Sequence, residues 1–123
     1  MVIGALQIEL DIPGAMCLKD KRRVVRSIKD SCHRHHMVSV AEISALDVWN
    51  RSVLGVSVVS NSGMIAGRTL DRVIDRIRSV HDCEIISMSR EILRCDVLVE
   101  RDEVIDESGE LETELLAYAE DAS

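Results

Sequence analysis

The chain is poor in aromatic residues and in proline. Its 123 residues include one tryptophan, one tyrosine, one proline and no phenylalanine. Because 46% of the residues are still hydrophobic, there is enough apolar surface for one core, built from valine, isoleucine and leucine. No apolar run is long enough to span a membrane, and the N-terminus lacks the basic start of a signal peptide. The sequence therefore predicts a single-domain cytoplasmic protein without a membrane partner.

Recognisable catalytic and cofactor motifs are also missing. The sequence has no glycine-rich phosphate-binding loop, and no nucleophile, base and orienting acid stand at motif-like positions. Cys32 and His36 are four residues apart, but a structural zinc needs four ligands and no second pair has suitable spacing. The four cysteines are irregularly spaced, which favours free thiols over disulfides. We therefore predict a non-enzymatic protein with no cofactor, no metal and no evident small-molecule ligand.

The formal net charge of −7 is unevenly distributed along the chain. Residues 96–123 contain eleven acids and one base, which leaves eleven acids and fourteen bases in residues 1–95, a net charge of +3. Between Cys17 and His36, seven lysines and arginines stand against two aspartates. Because the residues after 95 are acidic and lack a long apolar period, we predict a folded domain over 1–95 and a flexible acidic C-terminal tail over 96–123.

Hydrophobic spacing predicts four strands and two helices in the order β-α-β-β-α-β. Apolar side chains alternate with polar ones from Leu6 to Ile12, which is typical of a half-buried strand. Apolar stripes at helical spacing predict the helices, and Asn61 or Ser62 is the expected N-cap of the second. Alternation after Leu93 extends the last strand towards Val99. The predicted elements are strands over 6–12, 37–43, 51–60 and 84–93, and helices over 18–36 and 63–80.

This element order predicts the ferredoxin-like α+β fold. Two right-handed crossovers joined by a central hairpin give a four-stranded antiparallel sheet with both helices on one face. Such a sheet leaves one face and two edges uncovered. Since Val53, Val59 and Ile43 add apolar area there, an alternative role is a protein-interaction module that self-associates as a homodimer and has no nucleic-acid function.

The bases of the first predicted helix form a stripe beside its apolar face. They step by three and four residues, and His33 continues the row. Lys21 lies nearer the apolar face, and we expect its stem to carry the ammonium to water. A dense positive stripe is typical of a polyanion site, which predicts contact with RNA or the ribosome. The predicted nucleic-acid-binding residues are Lys19, Lys21, Arg22, Arg26 and Lys29.

Two other readings of the stripe are a solvated helix face and a site for an acidic protein partner. Asp20 is within reach of Arg23, and Asp30 is within reach of Arg26, which leaves five of the seven bases in excess.

In the second helix, the spacing predicts that Asp71 and Asp75 pair with arginines of the same helix, namely Arg68, Arg72 and Arg78. Glu42, Asp47 and Trp49 lie close in sequence beside the predicted central hairpin. They either line a pocket there, or they fix the connection between the second and third strands or a dimer contact.

The sequence also limits how RNA would be bound. No aromatic residue stands at the exposed strand positions, which are Gln7, Glu9, Ser57, Ser87 and Ser89. Stacking of bases on the open sheet face is therefore not expected. We predict contacts to phosphates, with weak sequence specificity and strong salt dependence.

Two long blocks of the sequence resemble a known family. The blocks are LDIPGAMCLKDKRRVVRSIKD and VSVAEISALDVWNRSVLGVSVVSN. The matching positions are Leu10, Pro13, Gly14, Ala15, Leu18, Lys19, Lys21, Arg22, Val40, Ala41, Glu42, Asp47, Trp49, Leu54, Gly55, Val58, Val59, Ser60 and Asn61. Over roughly residues 1–93 the chain resembles the YlxP-like family of small bacterial proteins of unassigned function. The resemblance implies the ferredoxin-like fold. It also implies a link to RNA or ribosomes, because the family's genes often lie near those for translation initiation and ribosome maturation factors.

The chain departs from the family pattern in two places. Cys17 stands where the family usually has serine, which together with an acid three residues later would form a capping box. Since Cys17 and Asp20 keep half of that motif, we expect the helix start to be weaker by about 1 kcal/mol. The acidic stretch after Glu100 is longer than in the family pattern, and we expect it to compete with RNA for the stripe.

Overall fold

The computed structural model describes residues 1–95. Its elements are β1 (Val2–Asp11), α1 (Leu18–His35), β2 (Ser39–Ser44), β3 (Arg51–Ser60), α2 (Gly63–Arg78) and β4 (Glu84–Arg94). The predicted element order is confirmed, and both helices begin where the sequence predicted. Neither described helix is long and apolar enough to cross a membrane. The predicted acidic tail and the predicted extension of β4 towards Val99 lie outside the described residues.

The four strands form one sheet in the order β2-β3-β1-β4. Every neighbouring pair is antiparallel, so β1 and β3 occupy the centre while β2 and β4 form the edges. The helices connect strands that are not neighbours, β1 to β2 and β3 to β4, and both pack on the same face of the sheet. This is the split βαβ arrangement. The predicted ferredoxin-like α+β fold is therefore confirmed.

The core lies between the helices and one face of the sheet. The even-numbered residues of β1 are buried against the helices, whereas the odd-numbered ones face the open side. As predicted, the core is aliphatic, with α1 and α2 contributing Val25, Ile28, Ala66, Leu70, Val73, Ile74 and Ile77. A Cβ atom at Gly4 would lie 2.9 Å from Val58 Cγ1 and 3.1 Å from Leu70 Cδ1, so glycine is needed for the close approach of α2 to β1.

The two helices begin with different caps. The Ser62 hydroxyl accepts a hydrogen bond from the Ile65 N–H at 3.4 Å, which identifies Ser62 as the N-cap of α2. At α1, the extended backbone of Cys17 suits a cap, but its side chain makes no capping bond. The Asp20 carboxylate accepts the Met16 N–H at 3.0 Å, and this bond lowers the pKa of Asp20 below its usual range. The start of α1 thus lacks the half of the capping box that a serine would supply.

Candidate nucleic-acid interface

The basic stripe of α1, which consists of Lys19, Arg22, Arg26 and Lys29, lies away from the core. Lys19, Arg22 and Arg26 are exposed, and Lys29 is half-buried. Within residues 1–95, none of these four side chains makes a hydrogen bond or an ion pair. Within the described domain their charges are not neutralised by direct contacts, so an anionic ligand can pair with them without breaking a bond to another residue of that domain.

The acids of α1 neutralise less of its charge than the sequence predicted. Asp20 lies 3.7 Å from Arg23, as expected, but the arginine side chain is 73% exposed, so the pair is weak. The described part of the chain shows no ion pair between Asp30 and Arg26. Because Lys21 pairs with Glu42 of β2 instead, five of the seven bases of α1 have no acid partner among residues 1–95, which is the number that the sequence predicted.

Lys21 is not part of the exposed stripe. Its side chain is fully buried, and its ammonium lies 2.7 Å from the Ala45 carbonyl oxygen, 3.1 Å from that of Leu46 and 3.0 Å from Glu42 Oε2. The prediction that its stem carries the charge to water is wrong. Three oxygens match the three ammonium hydrogens, which is how a lysine is tolerated in a core. A buried ammonium offers no surface to a phosphate, so Lys21 does not belong to the proposed interface.

The Lys21 site fixes the start of the loop between β2 and β3, residues 45–50, called the connecting loop below. Ala45 adopts a left-handed backbone with φ 59°, a conformation that costs about 1–2 kcal/mol for a residue with a Cβ atom. Its carbonyl oxygen is the nearest partner of the Lys21 ammonium. The Ser52 hydroxyl donates to Glu42 Oε2 at 2.5 Å, which holds the carboxylate beside Lys21. These contacts support the reading that Glu42 fixes the connection between β2 and β3.

The connecting loop is anchored but presents apolar side chains to solvent. The Val48 N–H donates to the Ala45 carbonyl at 3.1 Å, and the Asn50 carbonyl accepts the Ile12 N–H at 2.9 Å. The exposed fractions of its large apolar side chains are 56% for Leu46, 41% for Val48 and 47% for Trp49. Sequence reasoning singled out Trp49 and Asp47 but not Leu46 or Val48. The usable signal was that four of the seven residues between the two predicted strands are apolar.

His36, which follows the last residue of α1, contacts α2. The His36 Nε2 atom accepts a hydrogen bond from Arg76 Nε at 3.3 Å. Partial burial, followed by the charges of Arg76, His35 and Arg72, lowers the pKa of His36. Cys32, a free thiol like the other cysteines, is fully buried, and burial raises its pKa. Residues 1–95 contain no group of three histidine, cysteine or acidic side chains that could hold a metal ion.

The arginines of α2 are less self-paired than the sequence predicted. Asp71 forms its ion pair with Arg90 of β4 rather than with an arginine of its own helix, so that prediction is wrong. In the described residues, three exposed arginines of α2 make no ion pair, namely Arg68, Arg72 and Arg78. The positive surface of α1 is therefore continued, more sparsely, by α2.

The open face of the sheet carries the opposite charge. Its charged residues are Glu9, Asp11, Glu84, Glu91 and Arg51. Arg51 and Glu9 form an ion pair at 3.0 Å. The two helices together hold eleven bases and four acids, so charge is segregated between the two sides of the domain. A polyanion is attracted to the helical side and repelled by the open face.

The open face also has apolar area. The sheet register places Ile3 between Val59 and Leu93, which are 66% and 43% exposed. The predicted apolar positions Val53, Val59 and Ile43 all lie on this side. At its centre is a shallow depression of about 520 Å³, lined mainly by small side chains. No aromatic side chain lies on the described part of this face.

Two solved structures show low similarity to this chain. A de novo designed protein with ferredoxin fold aligns over 78% of this chain and 88% of its own, with 12% identity and a TM-score of 0.46. A C-terminal segment of the alpha subunit of aIF2 from Pyrococcus abyssi aligns over 78% of this chain and 51% of its own, with 14% identity and a TM-score of 0.42. The assignment of the fold rests on the strand order instead.

The sequence comparisons identify the family. An uncharacterised protein, YlxP of Bacillus subtilis (strain 168), is 34% identical over 83 residues, which cover 68% of this chain and 90% of the relative. The model of a family described as "Protein of unknown function (DUF503)" matches residues 3–90. The resemblance seen in the two sequence blocks is confirmed. The chain belongs to this family, the YlxP-like proteins of unassigned function.

Proposed function

We propose that this protein is a non-enzymatic, cytoplasmic accessory factor that binds RNA through the basic stripe of α1, in ribosome maturation or translation. The observation that carries the proposal is a set of four bases on one side of α1 that have no ion-pair partner within residues 1–95, in a domain whose open face is acidic. Because no ion pair within this domain must be broken, pairing these bases with phosphates costs little there beyond their side-chain entropy.

The geometry of the stripe favours contact with a nucleic-acid backbone. From Lys19 to Lys29 the row runs along about 15 Å of helix, at a rise of about 1.5 Å per residue. Such a row follows several phosphates but reads no base edges, so the binding has little sequence preference and falls steeply with salt. The translation-related gene neighbourhood of the family supports ribosomal RNA as the ligand.

The test compares two sets of charge substitutions that change the net charge equally. The first variant replaces the stripe, Lys19, Arg22, Arg26 and Lys29, by glutamine. The matched control replaces four exposed arginines outside α1, namely Arg68, Arg72, Arg78 and Arg94. Because both variants lose four positive charges, the long-range attraction of RNA to the protein falls by a similar amount in both. The variants differ in which side chains remain to contact the phosphates.

We expect the stripe variant to lose most of its affinity for RNA and to stay folded. The slope of log affinity against log salt should flatten by roughly 3 units, at about 0.7–0.9 per lost phosphate contact. The control variant should keep most of the affinity and most of the slope. Equal losses in the two variants, or an unchanged affinity in the stripe variant, would contradict the proposal.

We also propose a second function, self-association through the open face, which the row of exposed Val59 and Leu93 with half-buried Ile3 between them favours. Apolar side chains aligned across three strands present a continuous patch, which is a common feature of interfaces. The protein is then a homodimer at micromolar concentration, and Val59→Asp converts it to a monomer. Light scattering measures the mass of both forms, and a monomeric mass of the unmodified protein at high concentration rules this function out.

A further inference from the structure

The connecting loop, residues 45–50, presents exposed apolar side chains on a rigid backbone. Leu46, Val48 and Trp49 are 41–56% exposed, although the loop is fixed by the ammonium of Lys21 and by the backbone bond between Ile12 and Asn50. Apolar side chains on a mobile loop can fold back onto the surface. On this anchored loop they stay exposed to solvent, which is typical of a surface that binds a partner.

The connecting loop is tied to the helix that carries the basic stripe. Lys21 lies on the buried side of the first turns of α1, and its ammonium contacts the carbonyl oxygens of Ala45 and Leu46. One side chain therefore holds the connecting loop against the N-terminal part of α1. Trp49 follows in the same short loop, with its ring 47% exposed.

We infer that Trp49 stacks on an unpaired base of the RNA whose phosphates contact the stripe, so that the ligand is single-stranded or looped RNA rather than a continuous duplex. This inference rests on the proposed function. A positive groove combined with an aromatic platform is the common design of single-strand sites, because every base has a face that stacks. In a duplex the bases are already stacked on each other, so the ring finds no partner there.

The anchored loop makes the stacking favourable. Since Ala45 and Glu42 are fixed by Lys21, the ring is presented before the ligand arrives and less ordering entropy is lost on binding. The sequence predicted phosphate contacts alone, because no aromatic residue stands at the exposed strand positions. It missed stacking on Trp49 because this ring lies on a loop and not on the sheet.

Trp49 is the only tryptophan of the chain, so its fluorescence reports on this contact directly. The full-length protein is titrated with a short unstructured RNA and with a duplex RNA of the same phosphate number. Tryptophan emission measures stacking, and the anisotropy of labelled RNA measures affinity independently. We expect the single strand to quench the emission and to bind more tightly than the duplex.

Two substitutions separate stacking from a structural role of the side chain. Trp49→Leu keeps apolar bulk without a ring, and it should weaken single-strand binding by about tenfold while leaving duplex binding unchanged. Trp49→Phe keeps a ring and should restore most of the affinity. Because neither change removes a charge, the salt slope should stay the same in both, unlike in the stripe variant.

The outcomes distinguish this inference from the function on which it rests. RNA binding with unchanged tryptophan emission, and with equal affinities for Trp49→Leu and the unmodified protein, overturns the stacking and leaves the stripe proposal standing. Absence of any RNA binding overturns both. A change of emission with an acidic amphipathic peptide, and none with RNA, also overturns the inference and assigns the surface to a protein partner.

Discussion

The helical side of the domain and its open sheet face differ in charge and in chemistry. The helices carry eleven bases against four acids, whereas the open face carries four acids, one base and a row of apolar side chains. The formal charge of −7 hides this difference because residues 96–123 carry a net charge of −10 and residues 1–95 one of +3. The net charge of the chain is therefore a poor guide to what it binds. The distribution of charge over the two sides of the domain decides which partner each side attracts.

The difference is sharpest within α1, where two lysines two residues apart have opposite environments. Lys19 is exposed and has no ion pair within residues 1–95, whereas Lys21 is fully buried with three oxygen partners. Lys21→Met would remove the ammonium from the Glu42 carboxylate and from two carbonyl groups, which leaves a largely buried carboxylate with no positive partner. We expect it to lower the free energy of unfolding by about 3 kcal/mol, as is usual when one member of a buried ion pair is removed.

Urea denaturation measures this loss, and Lys19→Met is the matched control. The same change on the exposed side should alter the free energy of unfolding by less than about 0.5 kcal/mol. If both substitutions have the same small effect, the buried network does not hold the connecting loop in place.

Removal of the acidic residues after Glu100 tests whether they occupy the basic stripe of α1 in the absence of RNA. Truncation after Glu100 removes nine acids and one base. A tethered segment acts at an effective concentration of about 1 mM, so we expect these acids to compete with phosphates for the stripe. We expect the truncated protein to bind RNA several-fold more tightly at low salt, with a gain that shrinks as ionic strength rises. Equal affinities at low salt would leave the acidic residues with a solubilising role.

Cys17→Ser should strengthen the helix that carries the stripe. The residue already has the extended backbone of an N-cap, and a serine hydroxyl would accept a backbone N–H of the first turn. We expect the free energy of unfolding to rise by about 1 kcal/mol. Cys17→Ala is the control, because it removes the thiol without adding an acceptor, and a rise of the same size there would rule out capping as the cause.

The smallest expected effect is a pH dependence of stability that arises from His36, which contacts Arg76 of α2. The pKa of His36 is lowered in the folded protein, so the unfolded chain binds a proton at higher pH than the folded one. Stability should therefore fall as the pH drops below the usual value of 6.5, until the folded state is protonated too. His36→Gln should flatten the pH dependence of thermal unfolding in this range, and an unchanged profile would contradict the role of the Arg76 bond.

Local patterns predicted the fold, whereas contacts between distant elements were not predictable from them. Alternation from Leu6 to Ile12 and the apolar stripes of the helices fixed the element order, because these periods depend on neighbouring residues. The partners of Lys21 lie 21 or more residues away, across a chain reversal. The spacing of Lys21 with Val25 and Ile28 was a usable signal for burial, but its usual exposure as a lysine outweighed it.

The exposed stripe was predicted because surface charge on a helix follows directly from its spacing. The pairing of Asp71 with Arg90 was missed for the opposite reason, since the sequence offers nearer arginines and only the packing of α2 against β4 brings the two together. The connecting loop was missed as a platform because its position depends on the Lys21 contacts.

Chemical-shift mapping by NMR tests the central claim most directly, namely that RNA binds the helical side and not the open face. A short single-stranded RNA is added to the isotope-labelled full-length protein, and the backbone amide shifts are followed residue by residue. The account predicts shifts along α1 from Lys19 to Lys29 and in the connecting loop, with Gln7 and Ser57 of the open face unchanged. Shifts that cluster on the open face, with α1 unchanged, would contradict it.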